Sequence, residues 1–188
     1  MSMARFPELK PEQWSADQKR VANAIAAGPR GSVRGPFLPL LYSPGLANPI
    51  QQAGAHLRYH SSLPTMLNEF AIIIVARVWT AQYEWFAHKK LALEAGLDPK
   101  IADAIAKGER PTGMTPEMEA VYEFVTELHR DHGVSDKTFK GVTEKFGERG
   151  AIDLIGICGY YTLISMVLNV SQVPLPPGAP PGLEPLKR

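Results

Sequence analysis

The stretch from Pro64 to Gly96 leaves this chain the fewest options for folding. The run FAIIIVARVW at 70–79 is almost wholly apolar, and Ile72, Val75, Val78, Trp79, Trp85 and Phe86 continue an apolar side beyond it. A segment apolar nearly all round at the 3.6-residue period belongs in the middle of a fold. The signals predict one long central helix starting at Pro64 or Thr65. Gly96 is placed to end it, because glycine best tolerates the left-handed conformation that follows a helix. Within this stretch Arg77, Ala81, Glu84 and His88 are separated by four, three and four residues, which sets them along one face. On a solvated face that pattern is i,i+4 ion pairing, worth a few tenths of a kcal/mol. Beside so much apolar surface it reads instead as a buried or cleft-lining polar stripe, whose charges need partners.

Helical periodicity dominates the remainder, and no alternating run is long enough to build a sheet. A first helix is expected from Pro11 to Gly28, with Trp14, Val21, Ala24 and Ile25 on its apolar side. Residues 28–49 hold nine Gly and Pro residues and predict a loop with at most short turns, tacked down by Phe37 to Tyr42. A loop that long is usually functional or a packing arm. A second helix is expected from Pro49 to about Ser61. Beyond Gly96, Asp98-Pro99 starts a short helix closed by Gly108, and Thr115-Pro116 starts another reaching about Asp131. Ser135 caps a helix ending at Gly147, and a last long helix runs from Glu148 to Val170. The chain divides into a single helical domain, 1–173, and a tail, 174–188, with six prolines in fifteen residues. That tail should be extended, wrapping a neighbouring subunit or lying loose.

Bulk properties narrow the function. With 188 residues, 45% hydrophobic and 21% charged, the chain can bury a real core. A net charge of +1 with no basic block makes nucleic acid or an anionic membrane a poor partner. The lone Cys158 sits in an apolar run as a small core residue and fits a reducing compartment. The first residues lack the apolar core of a signal peptide, so the expected location is cytoplasmic. Leu154 to Val170 carries no charge and is just long enough to span a bilayer. Its Gly156, Gly159, Thr162, Ser165 and Asn169 favour a buried helix or a subunit interface.

The central segment also resembles a known family. Peroxidase members related to alkyl hydroperoxidase D carry a Glu, twelve residues later a Cys-x-x-Cys, and four residues beyond it a His. Here the Glu falls on Glu69 and the His on His88, while the cysteine positions are Ala81 and Glu84. YEWFAHKKLALEAGL, the GPRG…GPF loop, LRYHSSLP and GYYTLISMVLN are similar to the non-redox, carboxymuconolactone decarboxylase-like branch. The resemblance implies an all-α, single-domain helical bundle of the alkyl hydroperoxidase D-like type, assembled as a homotrimer or a dimer of trimers. It also implies a lyase that needs no metal or organic cofactor.

With both redox cysteines replaced, the family's thiol route to peroxide reduction is closed. Acid-base chemistry remains, and the resemblance implies that it acts on a small carboxylated, lactone-like compound. Arg77 is the expected anion site, His88 the general acid/base and Glu84 its partner, with Glu69 a weaker catalytic candidate. Arg30, Arg34, Tyr83 and Trp85 are expected to bind substrate, and Arg58 is a further cation within reach. Two rival readings stay open: a non-catalytic scaffold, and a metal enzyme using Glu69, Glu84 and His88. His56 and His60 are spaced for metal but lack companions. His129 and His132 read as surface residues complementing a helix end.

Overall fold

The computed structural model describes residues 4–7, 9–180 and 182–186. Among them there are helices and turns but no strand. A 3-10 turn at Pro11–Gln13 precedes α1 (Ala16–Ala27), so the expected first helix is shorter than its Pro11 start suggested. Ser15 stops the extension: its side chain accepts from Gln18 N, and the Gln18 side chain accepts from Ser15 N, a reciprocal cap. A one-turn α2 (Phe37–Leu40) lies in the Gly/Pro-rich loop. Next, α3 (Pro44–Tyr59) starts at Pro44 rather than Pro49. Pro49 is tolerated in its second turn at the cost of one intrahelical hydrogen bond.

The expected single central helix is two helices, α4 (Thr65–Val78) and α5 (Gln82–Glu94). Trp79 ends the first with Thr80 in the left-handed region, at φ 47°. Ala81 N–H donates to Ala76 O and Thr80 N–H to Arg77 O, the paired bonds that usually close on a glycine. The same closure with glycine ends α5 at Gly96, and α6 (Pro99–Lys107) ends at Gly108. Thr115 caps α7 (Pro116–Asp131). The two expected C-terminal helices form α8 (Asp136–Ser171), which Gly147 interrupts at φ 68°.

Every residue from Leu67 to Arg77 is buried, so α4 is the axis of the molecule. It packs against α5, α6, α7 and α8. Phe70, Ile72, Ile73 and Val75 of α4 meet Val121 and Phe124 of α7 and Leu154 and Ile157 of α8 in the main core. Each such side chain contributes about 1.5–3 kcal/mol by leaving water. A second core joins Val21 and Ile25 of α1, Phe37 and Leu41, and Ile164 and Leu168 of α8. Tyr160 of α8 packs against both cores.

The tail does not lie loose. Gln82 Nε2 donates to Leu183 O at 2.8 Å, and Leu183 N–H donates back to Gln82 Oε1 at 2.6 Å. Leu183 itself is buried in the main core. A Cβ on Gly182 would stand 1.9 Å from Gln82 Oε1, so a side chain there would displace the amide that holds Leu183.

Candidate active site

The break at Thr80 makes the site. Along one continuous helix Glu69 and His88, nineteen residues apart, would be separated by about 28 Å. With the chain turned back at 79–81, Nδ1 of His88 lies 2.6 Å from Oε2 of Glu69. On the other side of the ring, Nε2 lies 3.2 Å from Oε2 of Glu84, one turn earlier on α5. All three side chains are almost fully buried. Burial alone favours a neutral imidazole, but the bonds and charges of Glu69 and Glu84 outweigh it and hold the pKa up to about 9. At neutral pH the ring is therefore an imidazolium donating toward both carboxylates. The Tyr161 ring meets it edge-on at 5.0 Å.

Glu84 and His88 open onto a cavity of about 400 Å³, within the usual range for small-molecule sites. Its walls come from the loop before α2 (Arg30, Ser32, Arg34), the end of α3 (Arg58), α5 (Tyr83, Phe86, Lys90), α8 (Tyr160, Tyr161, Ile164) and Pro176 of the tail. Arg58 Nε stands 3.9 Å from Oε1 of Glu69, completing a line Arg58–Glu69–His88–Glu84. Arg30 donates to Gln51 O, lies over the Phe37 ring at 4.7 Å, and reaches Tyr160 Oη at 3.5 Å. Four Arg or Lys residues line the cavity against two Glu, so its field favours an anion.

Several sequence expectations need correcting here. Arg77 does not share the cavity. It is buried at the C-terminal end of α4, where Nη1 donates to Ala106 O in the last turn of α6 and Nη2 to Thr80 Oγ1. The break rotates it off the face of α5 that carries Glu84 and His88. Trp85 also misses the cavity, being packed in the main core. Arg30, Arg34 and Tyr83 do line it, and Glu69 lies one layer behind, against His88. His129 is half-buried, bonded to Val125 O and Thr162 Oγ1, whereas exposed His132 ends α7 in the left-handed conformation. Tyr160 and Tyr161 went unassigned in the sequence; their signal was a tyrosine pair inside an otherwise apolar helix.

Glu69 and Glu84 lie on opposite sides of the His88 ring. Among the described residues no three His, Cys, Asp or Glu side chains converge as donors. His56 turns toward Asp153, at 3.7 Å.

The sequence matches no protein-family profile and no curated protein. Among solved structures it is similar to the alkylhydroperoxidase AhpD core of an uncharacterized peroxidase-related protein from Ralstonia eutropha JMP134. The TM-score is 0.72 at 18% identity, over 90% of each chain. At that identity the likeness shows the fold: this chain has the AhpD-core architecture expected from Glu69, His88 and their surroundings.

Proposed function

We infer that the cavity is the active site of a cofactor-independent lyase of the non-redox branch, acting on a small carboxylated compound such as a lactone carboxylate. One observation carries this reading: a buried imidazole held between two carboxylates, with arginines gathered on the same cavity. Arg30, Arg34 and Arg58 supply the fork-shaped donors that a carboxylate accepts, a role that falls to them in place of Arg77. Because both nitrogens of His88 are engaged, the proton reaches substrate through Glu84, and His88 acts as the relay behind it.

For decarboxylation the carbon–carboxylate bond breaks and carbon dioxide leaves. The bonding pair flows through a conjugated alkene to the ring carbonyl oxygen, where arginine donors stabilise the developing charge. A proton from the Glu84–His88 pair then adds to carbon, and solvent restores it. Thiol-dependent peroxide reduction has no route here. Ala81 and Glu84 stand at the cysteine positions, and burial pushes the Cys158 thiol up to about 12.

The same reading includes a homo-oligomer, trimer or hexamer, and no nucleic-acid or membrane partner. The test is carbon dioxide release and uptake of solvent deuterium from a panel of lactone and β,γ-unsaturated carboxylates. His88→Ala should lower turnover by about 10²–10⁴. Turnover indifferent to His88→Ala would move the chemistry elsewhere.

A further inference from the structure

Three side chains of the cavity wall carry polar groups and are almost fully buried: Glu84, His88 and Tyr161. Glu84 and His88 pair with each other, and His88 also bonds Glu69. The Tyr161 hydroxyl has no hydrogen-bond partner among the described residues, although the residue is only 4% exposed. Its neighbour Tyr160, by contrast, has Arg30 Nη2 at 3.5 Å. Leaving a buried hydroxyl unpaired costs stability. Among the described residues, the polar atoms sealed in the interior without a partner are Asn68 Oδ1, Arg77 Nε and Ser165 Oγ. The Tyr161 oxygen is not one of them, so it meets open space, and the space that Tyr161 lines is the cavity.

The ring is firmly placed. Ile157, Ile164 and Ser165 share the buried side of α8 with it, at helical spacing. It packs in the main core and meets His88 edge-on at 5.0 Å and Tyr160 edge-on at 5.1 Å. Burial, and then the charges of Glu84 and Glu69, hold its phenol well above the ordinary pKa. The hydroxyl therefore stays a neutral donor and keeps its proton. The same two carboxylates disfavour a charged ligand group at this wall. What fits is an oxygen that is neutral when the ligand binds and gains charge only as it reacts.

We propose that Tyr161 is a further catalytic residue, whose hydroxyl donates to the carbonyl oxygen that takes up charge as carbon dioxide leaves. The proposal rests on the cavity being the active site and adds a donor that the arginines do not supply. When the carbon–carboxylate bond breaks, its electron pair ends on that oxygen and the hydrogen bond from Tyr161 strengthens. The proton that adds to carbon still comes from the Glu84–His88 pair.

The experiment compares wild type with Tyr161→Phe, which keeps the ring and removes only the hydroxyl. The probe is γ-butyrolactone-γ-carboxylate, isotope-labelled at the ring carbonyl. It has an acid group and a lactone carbonyl but no alkene to carry the electron pair, so it binds without reacting. Infrared difference spectra should place the carbonyl stretch at lower frequency in the wild-type complex than in the Tyr161→Phe complex. Equal frequencies overturn the proposal and leave the active-site reading standing. Failure of the probe to bind wild type at millimolar concentration overturns both. Benzoate, with an acid group but no ring carbonyl, should bind the two proteins within about twofold of each other. Weaker binding to the variant would make Tyr161 a ligand of the acid group instead. For any lactone carboxylate that wild type turns over, Tyr161→Phe should lower kcat by about 10²–10³ and leave KM within about threefold. A change in KM alone contradicts the proposal. The urea midpoint of the variant should equal or exceed that of wild type, since an unpaired hydroxyl is removed. A lower midpoint would mean that the hydroxyl serves the fold and not the reaction.

Discussion

The chemistry at the residue scale turns on His88 having two acidic neighbours and not one. Sequence spacing makes Glu84 a partner, because four residues along a helix is contact distance. Glu69 was legible only as a family position. Its contact with His88 depends on the chain turning back between them, and no local pattern encodes a contact nineteen residues away. The Tyr160–Tyr161 pair is hidden for the same reason, since it reaches the cavity from α8. The paired His88 also fixes a dependence of stability on pH. Its folded pKa, about 9, lies above the ordinary value of 6.5, so the folded state binds the proton more tightly. That stabilisation is complete below pH 6.5 and is lost as pH rises through about 9. Urea denaturation at pH 6.5 and 9.5 should show wild type losing about 1–3 kcal/mol, and His88→Gln should lose most of that difference. Equal slopes for the two proteins would mean that His88 does not titrate in this window.

Among the helices, starts were easier to read than breaks. Asp98, Thr115 and Ser135 accept from backbone N–H groups in the first turns of α6, α7 and α8, where the sequence places those starts, whereas α1 starts behind Ser15 and not at Pro11. The α4–α5 break carries no glycine or proline, and a threonine takes the left-handed position. Its only sequence trace is the bulky run Val78-Trp79-Thr80, weak in helix propensity. Arg77 supplies what the backbone lacks, tying Thr80 to the end of α6. It also places a cation where that helix's carbonyls point. Arg77→Met should therefore lower stability by about 1–3 kcal/mol through the orphaned Ala106 carbonyl. Benzoate affinity should stay within about twofold, because the residue stands off the cavity. A variant of full stability that lost benzoate binding would return Arg77 to the anion site.

At the scale of the whole molecule, the all-α class followed directly from the 3.6-residue period and the absence of alternation. The division into two cores with a cavity at their seam did not, because it depends on how α8 packs past both. Its segment after Gly147 is long and apolar enough to cross a membrane, yet half of its most apolar window is buried in the chain's own interior. The remainder leaves Ile152, Ile155, Met166 and Val170 exposed along one side. The tail, expected either to wrap a neighbouring subunit or to lie loose, packs on its own subunit through Gln82 and Leu183. A second copy of the chain is the occupant that the oligomeric reading supplies. Sedimentation velocity should show a trimer or hexamer at micromolar concentration, and Ile155→Glu should drive it toward monomer. A wild-type monomer would sink the oligomeric reading without touching the site.

The proposed chemistry requires His88 to be a buried imidazolium between Glu69 and Glu84 that faces a carboxylate-binding cavity. An NMR titration of its ring protons tests this most directly, run with and without saturating benzoate. The expected result is a midpoint near 9, a fall toward the ordinary value in Glu69→Gln, and a distinct shift of the His88 signals on adding benzoate. A midpoint at or below 6.5, with signals indifferent to the carboxylate, would contradict both the relay and the site.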